Sequence, residues 1–298
     1  MKQFIDTYLE KMAEEKSAST VKGHKSSLNK FASMVNATEP AEVLAKDVRN
    51  FRDELYKTMK TGTVNTMLKR LKTFFDWCVA EGLTDVSPAS EIKLLVEGEQ
   101  LPKWLSEEQE DLLLKAVRKK YLGASVKKKS YREYAIIMLM LKAGLRISEV
   151  TNLKHSELSL EAGKVLIRGK GQQQRTVHLI PDLVKVLVSY IEFHGSKGEY
   201  VFFSQMSDKI TERMVQNLIK NFKGVSLNEV VLDELHPHML RHTFAHNLAK
   251  AGMPIESIAR VLGHMKADGT PNIQQTIRYT KSSDVEIGEN MDKILGIS

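Results

Sequence analysis

The sequence predicts a mainly α-helical protein of two domains with one small antiparallel β-sheet. Apolar residues recur at helical spacing through most of the 298 residues. One segment, residues 165–179, has the paired β-branched runs and glycine-bearing turn of a hairpin. Residues 97–104, which carry a glycine and a proline, interrupt the helical pattern and are expected to form a linker. A chain of this length commonly divides into two domains.

The first domain, residues 1–96, is predicted to be a bundle of four or five amphipathic helices. Asp47 is expected to cap a helix over residues 48–56, and Thr63 a longer helix that Gly82 ends. Several basic residues lie on the polar faces of these helices, where they are either simply solvated or available to a polyanion. They are Lys22, His24, Lys25, Lys69, Arg70 and Lys72.

The second domain, residues 105–298, begins with a capping box at Ser106 and Gln109. A long helix stops at Gly144, and another begins near Ile147. The hairpin strands follow at residues 165–168 and 176–179, with residues 169–175 as their loop, and further helices are predicted over residues 183–193, 214–222, 239–251 and 255–262.

Composition narrows the classes of protein that fit. Lys and Arg number 44 against 37 Asp and Glu, and the formal charge of +7 favours a polyanionic partner. The single cysteine, Cys78, excludes an internal disulfide framework and a zinc cluster built on several thiolates. No apolar run is long enough for a membrane span, and the first residues have no signal-peptide pattern. We therefore expect a cytoplasmic protein that does not act in a membrane.

The second domain carries two guanidiniums, one amine, two imidazoles and one phenol, without an acidic metal cage. This set suits an oxyanion with several equatorial oxygens, such as a phosphodiester under attack, because fixed positive donors stabilise the charge that develops there. The phenol supplies an oxygen nucleophile. The candidate catalytic residues are Arg146, Lys170, His238, Arg241, His264 and Tyr279.

Each candidate also has an ordinary structural interpretation. Arg146, between two helices, also fits a surface arginine beside a helix C-terminus, and Lys170 also fits a solvated turn lysine. Glu149, one turn after Arg146, either holds a basic group or is an ordinary first-turn glutamate. His264 ends a helix, where the dipole favours a protonated imidazole, but it also fits a simple capping residue. Tyr279 is the only tyrosine after Tyr200.

A metal site is the alternative for the histidines. His238, His242 and His246 recur at four-residue spacing on one predicted helix. Zinc sites usually add a carboxylate or thiolate ligand and a supporting shell, which the sequence does not show. We therefore expect no metal at this helix, and expect His242 and His246 to pack or cap.

Several strings resemble the tyrosine recombinase (phage-type integrase) family, and the resemblance covers essentially the whole chain. They are Gly144-Leu-Arg-Ile-Ser-Glu149, His238-Met-Leu-Arg-His-Thr-Phe-Ala245, Leu262-Gly-His264 with Tyr279 downstream, and Lys103-Trp-Leu-Ser-Glu107 at the domain junction. The resemblance implies the tyrosine recombinase fold, with a SAM-like core-binding domain before the catalytic domain. It is nearer to the two-domain Xer or transposon-resolvase kind, because no arm-binding domain is expected before the first helix.

The resemblance also implies an activity. The protein would be a site-specific DNA recombinase for integration, excision or resolution of DNA elements. Tyr279 would attack a phosphodiester to leave a 3′-phosphotyrosine and a free 5′ hydroxyl, with Lys170 as the proton donor to the leaving oxygen. Strand exchange would proceed through a four-way junction in a tetramer on paired sites of double-stranded DNA. Neither ATP nor a metal is implied as a cofactor.

Two alternatives stay open beside this interpretation. A type IB topoisomerase shares the same active-site logic, and a DNA-binding regulator with a decayed site would be non-catalytic, although all six functional groups are present. The chain departs from the family in residues 266–271, which resemble an insertion whose effect on the geometry of Tyr279 does not follow from the sequence. An apolar stripe predicts a last helix over residues 285–295, docked on its own domain or, as we favour, on a neighbouring protomer.

Overall fold

The computed structural model describes residues 1–96, 98, 102–122, 128–169, 174–195, 198–266, 268–279 and 296. The chain divides into two compact units, residues 1–100 and residues 101–298, each with its own apolar core. Helices dominate both units and the sheets are small and antiparallel, which confirms the predicted fold class. Within the described ranges, no helix is both long and apolar enough to cross a membrane.

The first unit is a four-helix bundle around aromatic side chains. Phe31 meets Phe51 and Phe75 edge to face, with ring centres 5.1 and 5.9 Å apart. All three rings are almost completely buried, so they form the centre of this core. The helices are α1 (Lys2–Glu15), α2 (Ala18–Ala32), α3 (Ala45–Tyr56) and α4 (Thr61–Ala80), with a 3-10 turn at Pro40–Glu42.

Two predicted caps in this unit are wrong. Helix α3 begins at Ala45, so Asp47 lies in its first turn, and its carboxylate accepts from the backbone N–H of Leu44 at 2.9 Å. The carboxylate thus reaches back to an unpaired amide instead of forward, as the third residue of a capping box does. Helix α4 begins at Thr61, which places Thr63 inside its first turn.

The second unit is built around a helix that is apolar on every side. Residues 135–141 of this helix are all buried, and three other helices of the unit pack against it. Its helices are α5 (Glu107–Leu122), α6 (Lys128–Lys142), α7 (Ile147–Asn152), α8 (Pro181–His194), α9 (Glu212–Lys220), α10 (Pro237–Lys250), α11 (Ile255–Leu262) and α12 (Ile273–Thr276), followed by a 3-10 turn at Ile277–Tyr279.

Three strands, β1 (Leu158–Ser159), β2 (Lys164–Arg168) and β3 (Gln174–His178), form the main antiparallel sheet in the order β1-β2-β3. The predicted hairpin is therefore present, but β3 begins two residues earlier than expected. Arg175 pairs with Ile167 inside the sheet instead of lying in the loop. Strand β1 and a second hairpin, β4 (Ser226–Leu227) with β5 (Val230–Val231), are two-residue pairings too short to show an alternating pattern.

Candidate active site

Arg146 is delivered by a tight turn between α6 and α7. Gly144 adopts a left-handed φ of 65°, and a Cβ added to it would lie 2.2 Å from Cδ1 of Phe244. Both facts require glycine at this position. Arg146 then occupies the N-cap position of α7 with extended backbone angles, and its side chain remains partly exposed. The turn therefore holds the guanidinium between two helices while leaving it open to a ligand.

Glu149, in the first turn of α7, is the buried anion of the site. Its carboxylate accepts from the backbone N–H of Arg146 at 2.7 Å and from Nη1 of the same residue at 3.0 Å. Nη1 and Nη2 of Arg175 donate to its two oxygens, each at 2.8 Å. Burial alone would raise the pKa of Glu149, but the hydrogen bonds and charge of Arg175, followed by Arg146 and Arg241, lower it to about 2.

Arg241, on α10, connects this helix to the turn between α6 and α7 and to the end of α11. Its side chain is only 3% exposed, and it donates to the carbonyl oxygens of Gly144 and Leu262. Nη1 also lies 3.7 Å from Oε2 of Glu149. Burial and the positive charge of Arg146 lower the pKa of Arg241 to about 9, so the guanidinium is still charged at neutral pH. It is thereby fixed in place before any ligand binds.

His264 follows Gly263, which ends α11 with a left-handed φ of 66°. Its Nε2 lies 3.3 Å from Nη2 of Arg241, and its Nδ1 lies 3.0 Å from Oγ1 of Thr276. A guanidinium can only donate, so Nε2 must accept, and the ring proton is assigned to Nδ1.

The prediction that the helix dipole keeps His264 protonated is wrong. Burial, together with the charges of Arg241, Arg146 and Arg175, lowers the pKa of His264 to about 3. A partial dipole charge at the end of α11 is outweighed by desolvation and three full positive charges nearby. In this structure, the imidazole is therefore neutral.

Tyr279 lies at the end of the 3-10 turn after α12, and it is 8% exposed. Its ring centre is 5.0 Å from that of His242 and 5.9 Å from that of His264. Thr276, the partner of His264, precedes Tyr279 by three residues, so one hydrogen bond links the imidazole to the segment that carries the phenol.

The segment that resembles an insertion begins and ends in a backbone turn ahead of Tyr279. Met265 and Pro271 form an antiparallel bridge, and the backbone N–H of Lys266 donates to the carbonyl of Thr270 at 2.8 Å. The backbone N–H of Asn272 then donates to the carbonyl of His264 at 2.7 Å. The chain thus returns to His264 before α12 begins, and the extra length does not separate Tyr279 from the imidazole.

The three histidines along α10 have different neighbours. His238, in the first turn, is exposed, whereas His242 lies between it and Tyr279. His246 stacks on Trp104, with ring centres 4.2 Å apart and planes 13° apart. Among the described residues, no group of three or more His, Cys, Asp or Glu side chains is arranged to hold a metal ion.

Two predicted features lie outside the described residues. Lys170 falls between the end of β2 at Arg168 and the start of β3 at Gln174. The expected docking helix, residues 285–295, follows the last described part of the site. Both stay predictions.

In the first unit, the structure separates the basic candidates into two groups. Lys22, Lys25, Lys69 and Lys72 are exposed. His24, in contrast, is buried against Tyr8, with its Nδ1 3.2 Å from the phenol oxygen, and burial and the nearby charge of Arg70 lower the pKa of His24. Its placement on a solvated face is therefore wrong, because α1 packs over it.

Arg70 is also occupied within the first unit. Its Nη1 donates to the carbonyl of Gly23 at 3.0 Å and to Oγ of Ser27 at 3.1 Å. These bonds connect α4 to α2. Contact with a polyanion by the four exposed lysines stays a prediction.

Arg175 is the site residue that the sequence prediction missed. It was placed in the hairpin loop, yet it lies two residues before the buried Val177 in the same strand. Because side chains alternate along a strand, that spacing puts Arg175 on the inner face of the sheet. An arginine at an inward position next to a predicted oxyanion site was the available signal.

The chain matches two family models. Residues 103–286 match the phage integrase family, and residues 5–82 match the phage integrase N-terminal SAM-like domain. It is 28% identical over 284 residues to tyrosine recombinase XerC of Bacillus pumilus, covering 90% of both chains. It is 26% identical over 299 residues to a tyrosine recombinase of Agathobacter rectalis, covering 97% of this chain and 96% of the relative.

Solved structures share the fold at low identity. The Tn1549 transposon integrase in complex with transposon right end DNA gives a TM-score of 0.74 at 18% identity, covering 98% of this chain and 99% of that one. A lambda integrase dimer bound to a core site gives 0.73 at 15% identity, covering 95% and 96%. XerH recombinase bound to its difH substrate gives 0.67 at 21% identity, covering 95% and 81%.

Proposed function

Because the chain belongs to the phage integrase family and is a site-specific tyrosine recombinase, we propose that Tyr279 is its nucleophile and that Arg146 and Arg241 hold the scissile phosphate. Membership confirms the family, the recombinase fold and the enzyme class predicted from the sequence. The comparisons give no support to the topoisomerase and regulator alternatives.

The observation that carries the residue assignment is the meeting of one phenol with a cluster of excess positive charge. Arg146, Arg175 and Arg241 surround the single carboxylate of Glu149, and three positive charges against one negative leave a net charge of +2 in this group. Tyr279 lies beside His264, which is itself bonded to Arg241. A phosphoryl group that gains negative charge under attack fits such a preorganised cationic site.

In the proposed reaction, the phenol of Tyr279 gives up its proton to a neighbouring imidazole, and its oxygen bonds to phosphorus while the bond from phosphorus to the 5′ oxygen breaks. The product is a 3′-phosphotyrosine and a free 5′ hydroxyl. An alkoxide is a poor leaving group unless it receives a proton, and Lys170 is the proposed donor. The 5′ hydroxyl of the partner strand then attacks the phosphotyrosine and releases Tyr279.

We also propose the DNA partner and the assembly. Structural neighbours include a transposon integrase with DNA and a lambda integrase dimer on a core site. This chain would bind paired sites in double-stranded DNA, with four protomers in the recombining complex and residues 285–295 docked on a neighbour. The exposed Lys22, Lys25, Lys69 and Lys72 would contact phosphates. In a bacterial cell, such a reaction takes place in the cytoplasm.

Covalent capture tests the nucleophile. Wild-type protein and the Tyr279→Phe variant would be incubated with fragments of the native locus, and adducts separated on denaturing gels. We expect adducts with a free 5′ hydroxyl for the wild type and none for the variant, while DNA affinity changes by no more than a few-fold. The matched control is Tyr56→Phe, because Tyr56 is 57% exposed and outside the site. An adduct that survives Tyr279→Phe contradicts the assignment.

A further inference from the structure

We propose that Arg175 is a positioning residue of strand transfer, which neutralises Glu149 and thereby leaves Arg146 and Arg241 available to the phosphate. The inference rests on the phosphate site proposed above. It adds a residue that acts through the carboxylate and does not touch DNA.

The contacts of Arg175 all point into the protein. Nη1 and Nη2 form a fork on the two oxygens of Glu149, each at 2.8 Å, and Nε donates to the carbonyl of Val261 at 2.8 Å. The side chain is 12% exposed. A planar guanidinium matches a carboxylate in this two-bond geometry better than any other side chain does. With each of its three nitrogens engaged, Arg175 is directed towards Glu149 and away from solvent.

Glu149 would otherwise compete with the phosphate. Its Oε1 lies 3.0 Å from Nη1 of Arg146, and its Oε2 lies 3.7 Å from Nη1 of Arg241. These two guanidiniums are the groups proposed to meet the DNA. A buried carboxylate with no other counter-ion would draw both towards itself, because charge pairs strengthen as water is excluded.

Arg175 is the strongest partner of this carboxylate. Its hydrogen bonds and charge oppose burial more than those of Arg146 or Arg241 do, and they hold the pKa of Glu149 well below its ordinary value. Arg146 shares only one side-chain nitrogen with Glu149, against two from Arg175. Because Arg175, which lies on β3, already binds both oxygens of Glu149, Arg146 needs only one side-chain nitrogen for this carboxylate. Its other nitrogens are left for the phosphate.

The chain is shaped to let Arg175 reach that position. Strand β3 aligns Arg175 with Ile167 on the inner face of the sheet. At Gly263, a Cβ would lie 2.9 Å from Nη1 of Arg175, so the guanidinium passes directly over this glycine. The bond to Val261 ties the same side chain to the last turn of α11, immediately before His264.

The decisive experiment removes the arginine and then the carboxylate. We would measure the rate of covalent adduct formation at saturating DNA for wild type, Arg175→Met, Glu149→Gln and the double variant. Arg175→Met should slow adduct formation by at least about tenfold, with DNA affinity within a few-fold of wild type. In the double variant, the rate should return to within about threefold of Glu149→Gln alone, because no carboxylate then competes.

The hairpin offers a matched control. Arg168 on β2 pairs with Glu157, with Nε 2.9 Å from Oε1, and its side chain is 62% exposed. Arg168→Met removes an arginine–glutamate pair from the same sheet without touching the site, and its rate should equal that of wild type.

The rates of the four proteins would differ from this expectation if Arg175 had only a structural role. If Arg175 only supports the fold, deleting the charge of Glu149 cannot restore the rate, and a double variant as slow as Arg175→Met overturns the proposal. If Arg175→Met does not fold, the same four-way comparison is made with Arg175→Gln, which removes the charge but keeps a side chain that can donate a hydrogen bond to Glu149. Failure of the proposed function is separate, because wild type itself would then form no adduct dependent on Tyr279.

Discussion

At the scale of single residues, the protonation state of a side chain in this site depends on the groups that contact it. Arg241 donates to Nε2 of His264, and Thr276 accepts from Nδ1, so both ring nitrogens are committed to the neutral tautomer. A phosphate that drew Arg241 away from this nitrogen would free it to accept a proton. DNA binding and the protonation of His264 are therefore coupled in this arrangement.

The neutral state of His264 predicts a pH-dependent stability. Its pKa falls from an ordinary 6.5 to about 3 on folding, so between these values the unfolded chain binds the extra proton. The contribution of His264 to stability is complete above pH 6.5 and is lost as the pH falls towards 3. Relative to His264→Gln, the wild type should lose about 2 kcal/mol of its stability advantage between pH 7.5 and pH 5.

The measurement is urea unfolding of both proteins at the two pH values, followed by the fluorescence of Trp104. A Trp77→Phe background leaves Trp104 as the single tryptophan of the chain and reports on the second unit. An advantage that does not change with pH would mean that the pKa of His264 is the same in the folded and unfolded chains, and would contradict its burial as a neutral imidazole.

At the scale of elements, short segments place the reactive groups. Helix α12 has only four residues, yet Asn272 caps it and Thr276 anchors it to His264. The hydroxyl of Thr276 itself donates to the carbonyl of Asn272 at 3.1 Å, and its residue is completely buried. Two hydrogen bonds therefore connect His264, after the end of α11, with both ends of α12, the helix that leads directly to Tyr279.

Breaking this connection should slow chemistry without weakening DNA binding. In Thr276→Val the shape is kept, but the N–H of His264 loses its buried acceptor. Such a loss typically costs about 1–3 kcal/mol, or roughly 5-fold to 160-fold in a rate that depends on it. Adduct formation at saturating DNA measures the effect, and Thr276→Ser, which retains the hydroxyl, serves as the control. A valine variant that cleaves at the wild-type rate would show that this bond does not position Tyr279.

The bounds of an element were predicted well where the sequence carries a start signal at one end and a stop signal at the other. Helix α11 was predicted with its observed bounds, because Pro254 precedes it and Gly263 takes the left-handed conformation that ends it. The location of Arg175 was not predicted, since strand register depends on pairing with Ile167 across the hairpin. The neutral state of His264 was missed for a related reason, because Arg146, far away in the sequence, contributes to it.

The burial of His24 in the first unit likewise depends on a residue that is distant in the sequence. The sequence around His24 is polar, and only packing by Tyr8 from another helix covers it. The sequence alone identifies the candidate residues and their order. Their ion pairs and protonation states depend on how separate elements pack together.

At the scale of the whole molecule, the chain consists of two units with separate apolar cores. The net charge of +7 suits a phosphate backbone, and the first unit presents exposed lysines while the second holds the reactive cluster. The proposed exchange of strands between paired sites adds a requirement for several protomers to act together.

The proposed docking segment gives the test at this scale. Deleting residues 286–298 should leave a folded monomer that binds one half-site with wild-type affinity, because the segment follows Tyr279 and lies after the phosphate-binding groups. Cooperative binding to the full site and strand exchange should be lost, since a head-to-tail contact is what closes a ring of protomers. Gel-shift titration and a recombination assay report these outcomes. Normal recombination by the truncated protein would contradict the proposal, as would failure to fold.

The side turn after His264 has a consequence for how such proteins diverge. Because the N–H of Asn272 donates to the carbonyl of His264, the chain is beside the histidine again before it leads to Tyr279. This holds whatever the length of chain between Met265 and Pro271. Residues can be gained or lost in this turn while the imidazole and the phenol remain neighbours. The number of residues between the two in the sequence is therefore a separate matter from their distance in the structure, which depends on the backbone bond that closes the turn.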